Sequence, residues 1–300
     1  MPMGSDGLFG CVEAGGTKFV CAVADGNDRW LSRTRIPTGR PDETVGAMVA
    51  FMRDCQEQYG QLTSLGVASF GPIELDRSKP NWGSIVDTPK PNWSDVSLVA
   101  PLQEAFSVPI GLDTDVNAAA LAEVEASETG GKDGLVYITV GTGIGGGAVF
   151  NGRPLHGLRH PEMGHLLPPR HPLDTAFAGC CPYHGACTEG LASGPAIIAR
   201  WGRPLSELDA NHPAHEIISW YLGHLAASLL AMLSPTSIVF GGGVMGTPRL
   251  LDRIRRHADR IAAGYLARPG SLDTIIRSPA LETDAGLRGA LLLARNALDG

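Results

Sequence analysis

Between Glu162 and Glu189, two histidines and two cysteines stand at the spacing of metal ligands, flanked by two carboxylates. The run reads Glu162-Met-Gly-His165, then Cys181-Pro-Tyr-His184-Gly-Ala-Cys187-Thr-Glu189. Thiolate and imidazole suit tetrahedral Zn²⁺, and a group of close ligands completed by one distant histidine is the usual build of a closed structural site. Glu162 and Glu189 make poor additional ligands. Outside the metal they can accept hydrogen bonds from a polyol, on a loop that zinc pins in place. Two alternatives stand against zinc: thiols packed as small hydrophobes, and a disulfide.

A second chemistry is written in glycine. Glu13-Ala-Gly15-Gly16-Thr17-Lys18 and Gly141-Thr142-Gly143-Ile-Gly-Gly each separate two strand-like runs, and Gly241-Gly242-Gly243 follows a third. Glycine turns bring backbone N–H groups close to phosphate oxygens, and Thr17 and Thr142 add hydroxyl donors. Tight turns use the same glycines for positive φ, so one loop alone says little. Three at strand ends favour a nucleotide. The Gly141-x-Gly143-x-x-Gly146 spacing imitates a dinucleotide fingerprint, but that motif must open a helix, whereas Gly147–Phe150 reads as a second strand. No Walker A loop is present.

The third candidate is Asp113-Thr114-Asp115-Val116-Asn117, where a strand gives way to an alanine-rich helix. Asp115 or Asn117 could simply cap that helix. Placed between two α/β domains, Asp115 could instead accept a proton from a substrate hydroxyl.

These residues need a scaffold. With 300 residues, 43% apolar and 18% charged, the chain can build two conventional cores. Its net charge of -7 argues against a nucleic-acid face. Cys11, Cys21 and Cys55 lie in apolar runs while Cys180, Cys181 and Cys187 cluster, which fits a reducing cytoplasm better than a secreted disulfide framework. The first ten residues carry no signal-peptide pattern. Ile217–Pro248 contains no Asp, Glu, Lys or Arg, but Pro235 interrupts it and His224 lies inside, so a buried helix is expected rather than a membrane span.

Strands are expected at Phe9–Val12, Lys18–Ala24, Ser64–Ser69, Leu135–Val140, Gly147–Phe150 and Ile238–Phe240. Helices are expected near Thr44–Tyr59, Val116–Ser127 and Asp284–Ala294. The strand, glycine turn, strand unit occurs once in each half, which implies an internally duplicated α/β fold. The expected domains are residues 1–115 and 116–300, with the last helix able to pack back on the first.

Taken together, Glu13–Lys18, Asp113–Ala119, Thr139–Gly147, Glu162–His165 and Cys181–Glu189 resemble the ROK family of sugar kinases. The Cys181–Gly190 run and Thr88-Pro-Lys-Pro91 resemble its zinc-containing bacterial fructokinase branch. The resemblance implies two actin-like (ribonuclease H-like) domains with an active-site cleft between them, Mg-ATP and zinc, a homodimer, and phosphorylation of a hexose, fructose foremost. Glucose, mannose or an amino sugar are the alternative substrates. It makes Asp115 the general base and assigns Thr114, Asn117, Glu162, His165 and Glu189 to the sugar. Gly15, Gly16, Thr17, Lys18, Gly141, Thr142 and Gly143 fall to the phosphates, Gly241, Gly242 and Gly243 to adenosine, and His165, Cys181, His184 and Cys187 to zinc. Cys180 competes with His184 for the fourth zinc position. Glu13 replaces the family's Asp near Mg²⁺, and Thr114 replaces a common Asn. Repressors in this family carry an added helix-turn-helix module, for which the start of the first strand near Phe9 leaves no room.

Overall fold

The computed structural model describes residues 7–127, 134–267, 271–281 and 284–299. They form two units, one of 7–122, 156–160 and 284–299, the other of 134–155, 161–267 and 271–281 together with residues 123–127.

The first unit is built on a five-stranded sheet. Its strands are β1 (Phe9–Ala14), β2 (Lys18–Ala24), β3 (Trp30–Pro37), β4 (Ser64–Ser69) and, after a short hairpin of β5 (Ser84–Ile85) and β6 (Val96–Ser97), β7 (Ile110–Thr114). The spatial order is β3-β2-β1-β4-β7, with β1 antiparallel to β2 and parallel to β4, and β4 parallel to β7. β1, β2 and β4 are buried almost throughout, as expected of strands covered on both faces. Helix α1 (Pro41–Tyr59) packs Met48, Met52 and Cys55 into that core, α2 (Ala100–Ala105) adds Leu102, and α3 (Asp115–Glu125) follows β7 directly.

The second unit repeats the plan. β8 (Leu135–Val140), β9 (Ile144–Phe150), β10 (Arg153–Pro154), β11 (Ser237–Gly241) and β12 (Ile276–Arg277) lie in the order β10-β9-β8-β11-β12, again an antiparallel meander joined to parallel strands. This is the actin-like arrangement, and it is present twice. Because Gly141–Gly143 turns β8 into antiparallel β9 rather than into a helix, the dinucleotide fingerprint has no context here. Two short helices, α4 (Thr188–Ala192) and α5 (Gly194–Trp201), precede α6 (Ala214–Leu233), which packs on α7 (Leu250–Ala262); α8 (Leu272–Ile275) leads into β12. α6 is long and apolar enough to cross a membrane, yet Ile218, Tyr221, Leu222, Leu225 and Leu229 are core residues of this unit.

The last helix, α9 (Ala285–Asn296), returns to the first unit and packs on β1, β4 and β7. Ser64 Oγ donates to Ala294 O at 2.6 Å. A Cβ on Gly289 would lie 2.1 Å from Ala118 O, so α3 and α9 approach at backbone distance and only glycine fits. That contact holds the start of α3 to the first unit, and the division falls at residue 122, inside α3, instead of at 115.

Candidate active site

The corner from β7 to α3 sets the first group of residues. Thr114 ends β7, and its Oγ1 accepts from Asn117 N at 3.1 Å, so Thr114 is the helix cap. Asp115, the first helical residue, is therefore not needed as a cap; its Oδ1 accepts from the adjacent Val116 N at 2.9 Å, and it is half-buried. Asp113 has the opposite surroundings. It is buried and accepts from Thr114 N and Asn117 Nδ2, each at 2.8 Å, and from His156 Nε2 at 3.0 Å. Asn117 is wholly buried and Thr114 nearly so. Of the two aspartates, Asp115 is the more exposed.

In the same unit, Gly15, Gly16, Thr17 and Lys18 form the β1–β2 hairpin, closed by Gly15 N donating to Lys18 O at 3.0 Å. Gly16, Thr17 and Lys18 are exposed. Glu13 sits just before the hairpin, packed against Gly286. Burial raises its pKa, while the charges of Lys18 and Arg33 pull it back.

In the second unit, His165 Nδ1, Cys181 Sγ, His184 Nδ1 and Cys187 Sγ all lie within 4.8 Å of one another. The separations are 3.2 Å between the two nitrogens, 3.7 and 3.5 Å from His165 Nδ1 to the sulfurs of Cys181 and Cys187, and 3.8 Å from His184 Nδ1 to Cys181 Sγ. Bond lengths of about 2.1 Å to nitrogen and 2.3 Å to sulfur make tetrahedron edges of about 3.4 Å between nitrogens and about 3.6 Å between nitrogen and sulfur. The four atoms therefore fit one tetrahedral cation. Backbone donors converge on the sulfurs: His184 N on Cys181 Sγ at 3.5 Å, Gly190 N on Cys187 Sγ at 3.4 Å. All six cysteines are free, which removes the disulfide, and Cys180 is exposed and outside the group. Burial pushes the Cys187 thiol up to about 11, so a thiolate there needs a cation.

The loop carrying these ligands is fastened at both ends. Thr188 donates to Leu166 O through its N–H and its hydroxyl, at 2.9 and 3.0 Å, joining the His165 segment to that of Cys187. Midway, buried Asp174 accepts at Oδ2 from Tyr221 OH and Arg200 Nη1, both at 2.6 Å, while Arg170 Nε donates to Asp174 O at 3.1 Å. Burial pushes the Tyr221 hydroxyl up to about 12, so it stays a donor. The sequence offered little sign of this clamp, because its four residues span a separation of 51 positions, from a loop through α5 to α6.

The carboxylates flank the metal group. Glu189 Oε2 accepts from Ile144 N at 2.8 Å and stands 2.6 Å from where a Cβ on Gly143 would be, so Glu189 closes the Val140–Ile144 turn. Burial, with the Glu189 charge added, pushes Glu162 up to about 7.

Of the remaining glycines, Gly141 and Gly243 line a cavity of about 490 Å³, whereas Gly143, Gly241 and Gly242 are not among its lining residues. Gly141, Thr142, Gly194, Gly243 and Val244 line it together with Ile198 and Leu205. Gly242 adopts φ 91°, carrying the chain from Gly241, the end of β11, into the turn that presents Gly243. An apolar slot edged by glycine backbone and two threonines, Thr142 and Thr247, suits a flat heterocycle.

The ROK family model matches residues 9–297. The chain is 49% identical over 290 residues to a fructokinase of Zymomonas mobilis, covering 96% of each protein. It is 39% identical over 290 residues to a fructokinase of Streptococcus mutans, covering 96% of this chain and 97% of that one. Among solved structures, a ROK hexokinase from Thermus thermophilus superposes with a TM-score of 0.76 at 28% identity, covering 98% of this chain and 100% of the other. A family match along nearly the whole chain, on two copies of the actin-like sheet, establishes that this protein belongs to the ROK family.

Proposed function

We propose that this protein is an ATP-dependent hexose kinase that converts D-fructose to fructose 6-phosphate. The observation that carries the reading is the β7–α3 corner, where Thr114 caps the helix, Asp113 is buried in hydrogen bonds, and Asp115, the first helical residue, is the more exposed of the two acids. Fructose is favoured by the similarity to fructokinases over almost the full length.

Asp115 takes the proton of the sugar's C6 hydroxyl as that oxygen attacks the γ-phosphorus; the bond to the β,γ-bridging oxygen breaks and ADP leaves. Thr114 and Asn117 fix the segment on which Asp115 stands. Glu162 and Glu189 accept from sugar hydroxyls, and His165, with Nδ1 in the metal group, keeps Nε2 for a further hydroxyl. Gly141, Thr142 and Gly143, with Gly15, Gly16, Thr17 and Lys18, hold the phosphates, and the cavity at Gly243 takes adenosine. Mg²⁺ bound with the nucleotide supplies charge neutralisation at the terminal phosphates, and Glu13 is the carboxylate assigned to its side.

His165, Cys181, His184 and Cys187 hold structural zinc, supported by the tetrahedral spacing of their ligand atoms. The unpaired cysteines are in keeping with a cytoplasmic enzyme. A homodimer completes the reading, and light scattering should give twice the 31.5 kDa chain mass. The test of function is Asp115→Asn: turnover should vanish while ATP binding persists, and near-wild-type turnover would remove Asp115 as base.

A further inference from the structure

Residues 156–160, His156-Gly-Leu-Arg-His160, belong to the first unit although the chain on either side belongs to the second. This strap is held by polar contacts. His156 Nε2 meets Asp113 Oδ2 at 3.0 Å and Oδ1 at 3.2 Å, Arg159 Nη1 lies 3.5 Å from Asp87 Oδ2, and His160 Nε2 accepts from Ile73 N at 3.3 Å. Leu158, at its centre, is 100% exposed, so apolar packing does not hold the strap down.

The His156 contact reaches a carboxylate that cannot easily find another donor. Asp113 Oδ1 already accepts from Thr114 N and Asn117 Nδ2, and its side chain is 3% exposed. Oδ2 is satisfied by His156. Because the Asp113 carboxylate oxygens only accept, Nε2 is the ring nitrogen that carries the hydrogen toward them. Remove it and a buried carboxylate oxygen loses its donor, a loss the corner relieves by shifting Asp113 toward water. Asp113 is bonded to the same Thr114 and Asn117 that fix the start of α3.

We propose that His156 is a positioning residue for phosphoryl transfer: its Nε2–H anchors Asp113 and thereby sets where Asp115 stands. The proposal rests on Asp115 being the base. His156 touches neither sugar nor phosphate in this role and acts through Asp113.

Steady-state kinetics of the full-length, zinc-loaded protein with fructose and Mg-ATP test it through four variants. The amide of Gln reaches the place of Nε2, while that of Asn is one methylene too short. His156→Ala and His156→Asn should therefore lose about 10- to 100-fold in kcat, the scale of a base displaced by up to about 1 Å. KM for ATP should stay unchanged, and His156→Gln should restore most of kcat. Wild-type kcat in His156→Ala, or equal loss in the Gln and Asn variants with kcat following their melting temperatures, would overturn it. Asp115→Asn separates the two readings. If it is inactive while His156→Ala is normal, the base stands and the positioning role falls; if it turns over normally, both fall.

Discussion

Glu162 gives the pH dependence a definite direction. Burial, with the Glu189 charge second, pushes its carboxyl from 4.5 up to about 7. The ionised fraction then climbs from about 9% at pH 6 to about 91% at pH 8. Only the ionised form accepts hydrogen bonds at both oxygens, so KM for fructose should fall about ten-fold across that interval. Bound zinc leaves this expectation in place, since Zn²⁺ with two thiolates and two neutral imidazoles carries no net charge. The same shift affects stability with the opposite sense. Between 4.5 and about 7 the folded state holds a proton that the unfolded state has released, so this group's stabilising contribution declines as pH rises through that window and is gone above it. The assay is ADP release at saturating Mg-ATP, with fructose varied at half-unit pH steps, for wild type and Glu162→Gln. A flat KM in wild type, or the same slope in Glu162→Gln, would refute the reasoning.

The metal group predicts one zinc per chain by elemental analysis. His184→Ala should lose it and Cys180→Ala retain it, since the His184 ring nitrogen is within the ligand group and the Cys180 sulfur is not; the opposite pattern would move the fourth ligand to Cys180. Asp174→Ala leaves the guanidinium of Arg200, 6% exposed, without its carboxylate, and should cost about 3–5 kcal/mol in denaturant unfolding. An unchanged midpoint would mean that Asp174 does not clamp the loop.

What the sequence showed clearly was local. The zinc ligands Cys181, His184 and Cys187 lie within seven positions, and the glycine turns at Gly15–Thr17 and Gly141–Gly143 each sit between their own two strands. Strand Lys18–Ala24 is fully apolar after its first residue and reads directly, whereas β3, a polar edge strand with alternating exposure, carries no apolar run to mark it. Contacts across long separations were not visible. His156 and Asp113 are 43 residues apart, and Glu189 reaches the turn at Ile144 from 45 residues away. A signal for the cap was present, since Thr114 stands where the apolar strand gives way to the helical run, but two neighbouring acids obscured it. The division inside α3 follows from Gly289 meeting Ala118, a fit between residues 171 positions apart that a boundary drawn from strand and helix order misses.

The most direct test of the account is hexose-dependent ADP release from Mg-ATP by the zinc-loaded protein, with fructose, mannose, glucose and N-acetylmannosamine offered separately. The account predicts turnover with fructose foremost, abolished in Asp115→Asn. No turnover with any of the four, or equal turnover in Asp115→Asn, would contradict it.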